Sequence, residues 1–262
     1  MKITPTHIKV IGKNKILNII LNRPKKKNAL NPRIIQEIQD TLNNSRNNPN
    51  INSIIISSSS NTFCAGADLE YLKKIKDFSY EDNLNDSKLL MKLFQTMISY
   101  PKIIIAKVCG HAIGGGCGLV TASDIVFATD NSKFAYPEVK IGFVPALVST
   151  FLINKIGEKN ARELLLTGQT IDATKAKEIG LINYIYNNDN IDEEISKLTT
   201  HIANNISKKS IAETKKMMYK WLDLNDKLKK AAEFNAKNRK TSDFKKGISG
   251  FLNKNSVNWN TN

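Results

Sequence analysis

The sequence predicts an α/β fold that gives way to a helical C-terminal region. Three observations predict it. Apolar, β-branched runs alternate with helix-like stretches or turns up to about residue 145. Two glycine turns, Phe63–Asp68 and Gly110–Gly118, each lead from a strand-like run into a helix-like one. Residues 191–252 carry amphipathic helical spacing, enough for three or four helices. These patterns divide the chain into a core over residues 1–195 and a helical region over 196–262, with no internal repeat in the sequence.

Taken in order, Ile8–Ile11 reads as the partner strand of a β-rich segment, Lys15–Leu21. Pro32 opens a helix-like stretch through Leu42, since proline is tolerated in a helix's first turn. Asn52–Ser57, with Ile54, Ile55 and Ile56 in succession, reads as a buried strand. Residues 76–88 are polar and charged, which predicts a mobile loop or a helix over a site. Further strands are expected at Ile103–Val108 and Ile125–Ala128. Leu147–Ile156 and Arg162–Leu166 have helical apolar spacing, and Asp172 is placed to cap a helix over Ala173–Ile179.

Composition narrows the function classes. A hydrophobic content of 41% suits a globular protein, and no apolar run approaches the roughly 20 residues that cross a bilayer. The first twenty residues read as neither a secretory signal nor a transit peptide, so the expectation is a cytoplasmic protein without a membrane partner. Net charge is +15, but the lysines are dispersed and accompany abundant asparagine and isoleucine. Zinc-finger spacing, a basic region with heptads and an aromatic RNA-binding motif are all missing, so nucleic acid is not the expected partner. The three cysteines have neither paired nor metal-ligand spacing, and Cys64 and Cys117 read as small buried side chains rather than nucleophiles. No metal site is expected. Gly114–Gly118 lacks the Lys-Ser/Thr ending of a phosphate loop and, at Leu119, the last glycine of a dinucleotide-binding turn.

What the glycine turns offer is backbone chemistry. A turn that opens a helix leaves N–H groups without acceptors, where the helix's partial positive charge also gathers. Two such donors aimed at one point form an oxyanion hole, which stabilises charge growing on a carbonyl oxygen. Tyr136-Pro137-Glu138 supplies a carboxylate shortly afterwards.

In these residues the chain resembles the enoyl-CoA hydratase/isomerase (crotonase) superfamily. The likeness runs through Asn22–Lys25, Asn28–Leu30, both glycine turns, Ala122–Asp124, Glu138–Gly142, Leu166–Gly168 and Ala176–Ile182, in family order. Phe244–Lys254 is similar to the family's last helix. The resemblance implies a crotonase-like spiral of ββα units, a helical oligomerisation region, and assembly as a homotrimer or a dimer of trimers. It implies an acyl-CoA substrate, with coenzyme A as part of that substrate rather than a separate cofactor. The backbone N–H groups of Ala67 and Gly115 would grip the thioester oxygen, and Glu138 would be the general acid/base. Lys25, Ala65, Asp68, Leu69, Gly114, Phe251 and Lys254 match positions along the coenzyme A and substrate path.

One position departs from the two-glutamate hydratases: Gly118 stands where their first glutamate would be. Three reactions remain open. One is hydration with Glu138 making both proton transfers, and the run Glu138–Ala146 looks closest to the 3-methylglutaconyl-CoA hydratases. The second is enoyl-CoA isomerisation, and the third a decarboxylation that uses the oxyanion hole alone. Outside catalysis, the same turns could serve a CoA- or RNA-binding scaffold. Tyr136, His111 and Asp68 are candidates to replace the missing carboxylate, although Asp68 reads rather as a helix cap and Asp124 as an acceptor for backbone donors. Lys73, Lys74 and Lys76 are candidates to attract a substrate carboxylate.

Overall fold

The computed structural model describes residues 5–260; the first four residues of the N-terminal segment read above lie outside them. The strands are β1 (Ile8–Lys13), β2 (Ile16–Leu21), β3 (Ser53–Ser58), β4 (Thr62–Cys64), β5 (Ile103–Val108), β6 (His111–Ile113), β7 (Ile125–Thr129), β8 (Lys133–Ala135), β9 (Thr170–Asp172) and β10 (Tyr184–Tyr186). The helices are α1 (Pro32–Ser45), α2 (Leu69–Ile75), α3 (Tyr80–Ile98), α4 (Gly115–Ala122), α5 (Ala146–Thr167), α6 (Ala173–Glu178), α7 (Ile191–Asn205), α8 (Lys208–Trp221), α9 (Leu224–Asn238) and α10 (Ser242–Leu252).

The strands form two sheets, ordered β1-β2-β3-β5-β7-β10 and β4-β6-β8-β9. The β1–β2 and β8–β9 pairs are antiparallel and the other pairs parallel. Parallel neighbours need crossovers; β2 reaches β3 through α1, and each later crossover of the large sheet visits the second sheet. The pairs β3–β4, β5–β6 and β7–β8 each put one strand in the large sheet and one in the small, and a helix or helical turn follows each pair. This is the ββα repeat of a spiral. In β2 the alternation Leu17, Ile19, Leu21 sends every second side chain inward, whereas Ser53–Ile56 of β3 is buried on both faces.

Helix boundaries follow from their caps. Asn31 accepts from the Ile34 N–H, and Pro32 occupies the first turn, so α1 begins where expected and runs on to Ser45. Of the loop and the helix expected over residues 76–88, the structure has the helix from Tyr80 onward. Ser79 and Asp82 form a capping box at Tyr80, and Leu84, Met91, Leu93, Phe94 and Met97 give α3 a buried face. The two helical stretches expected between residues 147 and 166 are present as the two halves of α5, separated at Gly157, whose φ of 77° and ψ of 157° break the helical backbone. The C-terminal region holds four helices, and the boundary expected after residue 195 falls inside α7. Leu224, Leu228, Ala231 and Ala232 of α9 join the main core.

A smaller cluster closes the far side. Phe244 and Ile248 of α10 pack on Leu72 and Ile75 of α2, beside Ile141 and Phe143. Two glycines set this approach. A Cβ on Gly142 would lie 2.2 Å from the Asp243 carbonyl oxygen, and one on Gly247 2.3 Å from that of Ile141. Gly142 also has φ of 65°, a left-handed conformation in which glycine carries no Cβ penalty. No helix among the described residues is long and apolar enough to cross a membrane.

Candidate active site

The first glycine turn is pinned by Leu30. Its N–H donates to the Gly66 carbonyl (2.7 Å), and its own carbonyl accepts from the Asp68 N–H (2.8 Å). This makes a parallel bridge between Leu30 and Ala67. In such a bridge the neighbours of the central residue make the bonds, so the Ala67 N–H faces away from Leu30. In the second turn the Gly114 N–H donates to the Ala135 carbonyl (2.8 Å), and Gly115 opens α4. Its N–H therefore has no acceptor within the helix. Gly114, at φ 53° and ψ −122°, holds a conformation that side chains rarely adopt.

The two turns approach closely. A Cβ on Gly66 would lie 3.0 Å from the Ile113 carbonyl oxygen and 3.9 Å from the Gly114 Cα. Ala65, Gly66, Ala67, Gly114 and Gly115 all line one cavity of about 510 Å³. Glu138 lines it too, from a 3-10 turn over Pro137–Ile141. Its Oε1 sits 3.4 Å from the point that a Gly114 Cβ would occupy, and its Oε2 is shut off from solvent with no hydrogen-bond partner. Burial pushes the Glu138 carboxyl up to about 7, with its own backbone N–H offsetting part of the effect. A carboxyl poised there both takes and returns protons near neutral pH.

Gly118 is filled from outside. A Cβ at that position would lie 2.6 Å from Cζ of Phe94, a fully buried ring on α3. The space beside α4 that a second carboxylate would need belongs to an aromatic side chain.

The candidates to replace that carboxylate do not reach the cavity. Tyr136 is buried, and its hydroxyl shares a 2.5 Å hydrogen bond with Thr121 Oγ1. His111 is exposed on β6 and outside the cavity lining. Asp68 caps α2, accepting from the Glu70 N–H (2.9 Å), and pairs with Arg23 at 2.7 Å. Burial alone would raise its pKa, but Arg23 and the α2 N–H groups outweigh that and hold it below the ordinary value. Asp124 accepts from the Ile104 N–H (2.7 Å), as expected of an acceptor for backbone donors. Cys64 and Cys117 are buried thiols pushed up to about 12, which keeps them protonated and inert.

Among the residues expected along the ligand path, Ala65, Gly114 and Phe251 line the cavity. Lys25, Asp68, Leu69 and Lys254 do not; Lys25, Leu69 and Lys254 lie on the surface. Lys73 and Lys74 point to solvent, while their neighbours Leu72 and Ile75 face the cavity. The buried cation of the cavity is instead Arg239, at the end of α9, paired with Asp86 of α3 at 2.5 Å. Tyr71 donates to the other oxygen of Asp86 (2.6 Å). Sequence reasoning missed this group. Its signal was a polar interruption of two apolar stripes: Arg239 follows Leu228, Ala232 and Asn235 on α9, and Asp86 lies between Asn83 and Ser87 on α3. No group of three or more metal-binding side chains occurs among the described residues.

Comparison with known proteins adds an independent line. The family profile for enoyl-CoA hydratase/isomerase matches residues 12–262. The chain is 36% identical over 246 residues to a Thermus thermophilus protein with a provisional enoyl-CoA hydratase name, covering 93% of this chain and 97% of that one. It is 32% identical over 256 residues to the mitochondrial enoyl-CoA hydratase of Pongo abelii, covering 95% and 85% of the two chains. The crystal structure of an enoyl-CoA hydratase from Bacillus halodurans superposes with a TM-score of 0.87 at 26% identity, covering 94% of this chain and all of that one.

Proposed function

The chain belongs to the enoyl-CoA hydratase/isomerase family, and from that premise we propose that it adds water to an α,β-unsaturated acyl-CoA through one glutamate. It is an enzyme of the hydratase/isomerase type, acting on acyl-CoA thioesters. The observation that carries the proposal is the convergence of the Ala67 and Gly115 turns with the Glu138 carboxyl, raised by burial to about 7, on one cavity. The two N–H groups would hold the thioester oxygen as it gains enolate charge. Removing one such donor typically costs about 3–4 kcal/mol of transition-state stabilisation. Ionised Glu138 would take a proton from water as the hydroxyl adds to the β-carbon. Protonated Glu138 would then return that proton to the α-carbon of the enolate.

The favoured substrate within this reading is 3-methylglutaconyl-CoA, supported by the Glu138–Ala146 run and by a cation in the cavity wall. The coenzyme A moiety would leave the cavity past Ala65, Leu69 and Lys25, with Asp68 shaping that turn and Phe251 and Lys254 at the rim. The helical region 196–262 would make the trimer or paired-trimer contacts. Its exposed Met218, Trp221 and Phe234 supply apolar surface for them.

One observation favours a second reaction. With Phe94 against Gly118 there is no second carboxylate beside α4, and the Asp86 carboxylate in the cavity wall is held by Arg239 and Tyr71, whereas a single glutamate suffices to move a proton between the α and γ carbons. A turnover assay with crotonyl-CoA, 3-methylglutaconyl-CoA and a β,γ-enoyl-CoA separates the two. Glu138-dependent hydration, fastest with the branched diacid, is the expected result. Double-bond migration without hydration would replace it by the isomerase, and silence on all three would overturn both.

A further inference from the structure

The cavity wall contains a polar cluster that the chemistry above does not use. Most of the lining is apolar, including Leu30, Ile35, Leu72, Leu90, Phe94 and Val148. Into this lining come Tyr71, Asp86, Asn235 and Arg239. The Arg239 and Asp86 side chains are 7% and 11% exposed. Removing two charges from water costs several kcal/mol per ion, and apolar residues of similar volume are often as stable or more so. Packing alone gives little reason for an arginine here.

The hydrogen bonds show what remains unspent. Arg239 Nε donates to Asn235 Oδ1 (2.9 Å), and Nη1 donates to Asp86 Oδ2 (2.5 Å) and Asn83 Oδ1 (3.4 Å). The Phe143 ring lies 5.2 Å from the guanidinium carbon. Asp86 is engaged on its other oxygen by Tyr71. The guanidinium plane is thus fixed on two edges and one face. Nη2 carries two further donors and has no acceptor among the described residues. A fixed donor without a partner inside an apolar cavity favours a ligand that brings an acceptor. A ligand that ends in a methyl group displaces water from the donor and leaves it unpaired, which disfavours binding.

We propose that Arg239 is the specificity determinant of this enzyme: its Nη2 receives an oxygen atom at the distal end of the acyl chain, so acyl groups bearing a terminal carboxylate or hydroxyl are selected over hydrocarbon ones. Asp86, Asn235 and Tyr71 position the guanidinium and do not touch the acyl group. The inference deepens the diacid reading given above and rests on it for the identity of the natural substrate.

The test separates binding from turnover. Dissociation constants for butyryl-CoA, 4-hydroxybutyryl-CoA and glutaryl-CoA, three saturated thioesters, are measured calorimetrically on the full chain. The wild type is expected to bind the two oxygen-bearing esters at least about tenfold tighter than butyryl-CoA, as one satisfied hydrogen bond to a charged donor allows. Arg239→Met should erase that preference, with butyryl-CoA bound more tightly than by the wild type because no donor is left to desolvate. Since the single variant strands a buried Asp86, Arg239→Met/Asp86→Leu is measured beside it and should behave alike. Arg239→Lys keeps the charge but loses the fork, and should recover only part of the preference. Equal affinity of the wild type for all three esters would overturn the proposal. So would an equal loss of affinity for all three in the double variant, which would mark a purely structural role. Because no chemistry is involved, these outcomes stand whether the turnover assay reports hydration or isomerisation. A preference seen here beside silence on the enoyl esters would sink the reaction reading alone.

Discussion

Replacing Glu138 by glutamine tests the charge state of the site through stability as well as rate. Burial raises the carboxyl from 4.5 in an unfolded chain to about 7 in the fold. Between those values the folded state holds a proton that the unfolded state has released. Stability therefore falls as pH rises from about 4.5 to about 7 and is level above that. At about 1.4 kcal/mol per unit, the loss reaches about 3 kcal/mol, and partial exposure of the residue reduces it to about 1–3 kcal/mol. Glutamine is uncharged throughout and does not incur this loss. Glu138→Gln should match the wild type in urea denaturation near pH 5 and exceed it by about 1–3 kcal/mol at pH 8. Turnover should drop by about 10²- to 10⁴-fold, the usual contribution of a general acid/base, with acyl-CoA affinity retained. In the wild type, kcat/KM should climb with pH through a midpoint near 7, because water is deprotonated by the ionised form. The same stability change at both pH values would refute the reasoning, since it would mean that the carboxyl is not held protonated by its surroundings.

Four further substitutions probe the neighbourhood. Gly118→Glu, which restores a second carboxylate, drives a side chain into the Phe94 ring at 2.6 Å and should cost about 1–3 kcal/mol by overpacking. Adding Phe94→Ala should cost less than the two changes summed, and strict additivity in a melting series would argue against the clash. Tyr136→Phe removes the hydroxyl shared with Thr121 and should lower stability by about 1 kcal/mol with kcat unchanged. A large fall in kcat would instead make Tyr136 a proton carrier. Gly247→Ala puts a Cβ 2.3 Å from the Ile141 backbone and should lower kcat by displacing the Glu138 turn, while a wild-type rate would show that α10 does not position it.

The larger elements were legible because their signals are local. Ile54–Ile56 and Ile103–Val108 are β-branched runs long enough to stand out, and Pro32 and Asp172 mark helix starts through their own backbone chemistry. The small sheet was not legible. Its strands are three residues each, too short for an alternation, and exist because the glycine turns fold them against one another. That both glycine turns and Glu138 meet at one cavity agrees with what the turns and the family likeness lead one to expect. The Arg239–Asp86 pair could not, since its members are far apart in the chain and meet only where α9 packs on α3. Lys73 and Lys74 seemed suited to the same task from their charge, but the face of α2 decided otherwise.

The contact of Gly247 with Ile141 has a consequence for how the protein comes into being. The sheets and the oxyanion turns are encoded early, whereas the helix that braces the Glu138 turn is made late. An emerging polypeptide can therefore pair its strands while the Glu138 turn still lacks the helix that packs on it. On the reading of Glu138 as the proton carrier, catalytic competence would wait for the docking of α10, the last helix to be made.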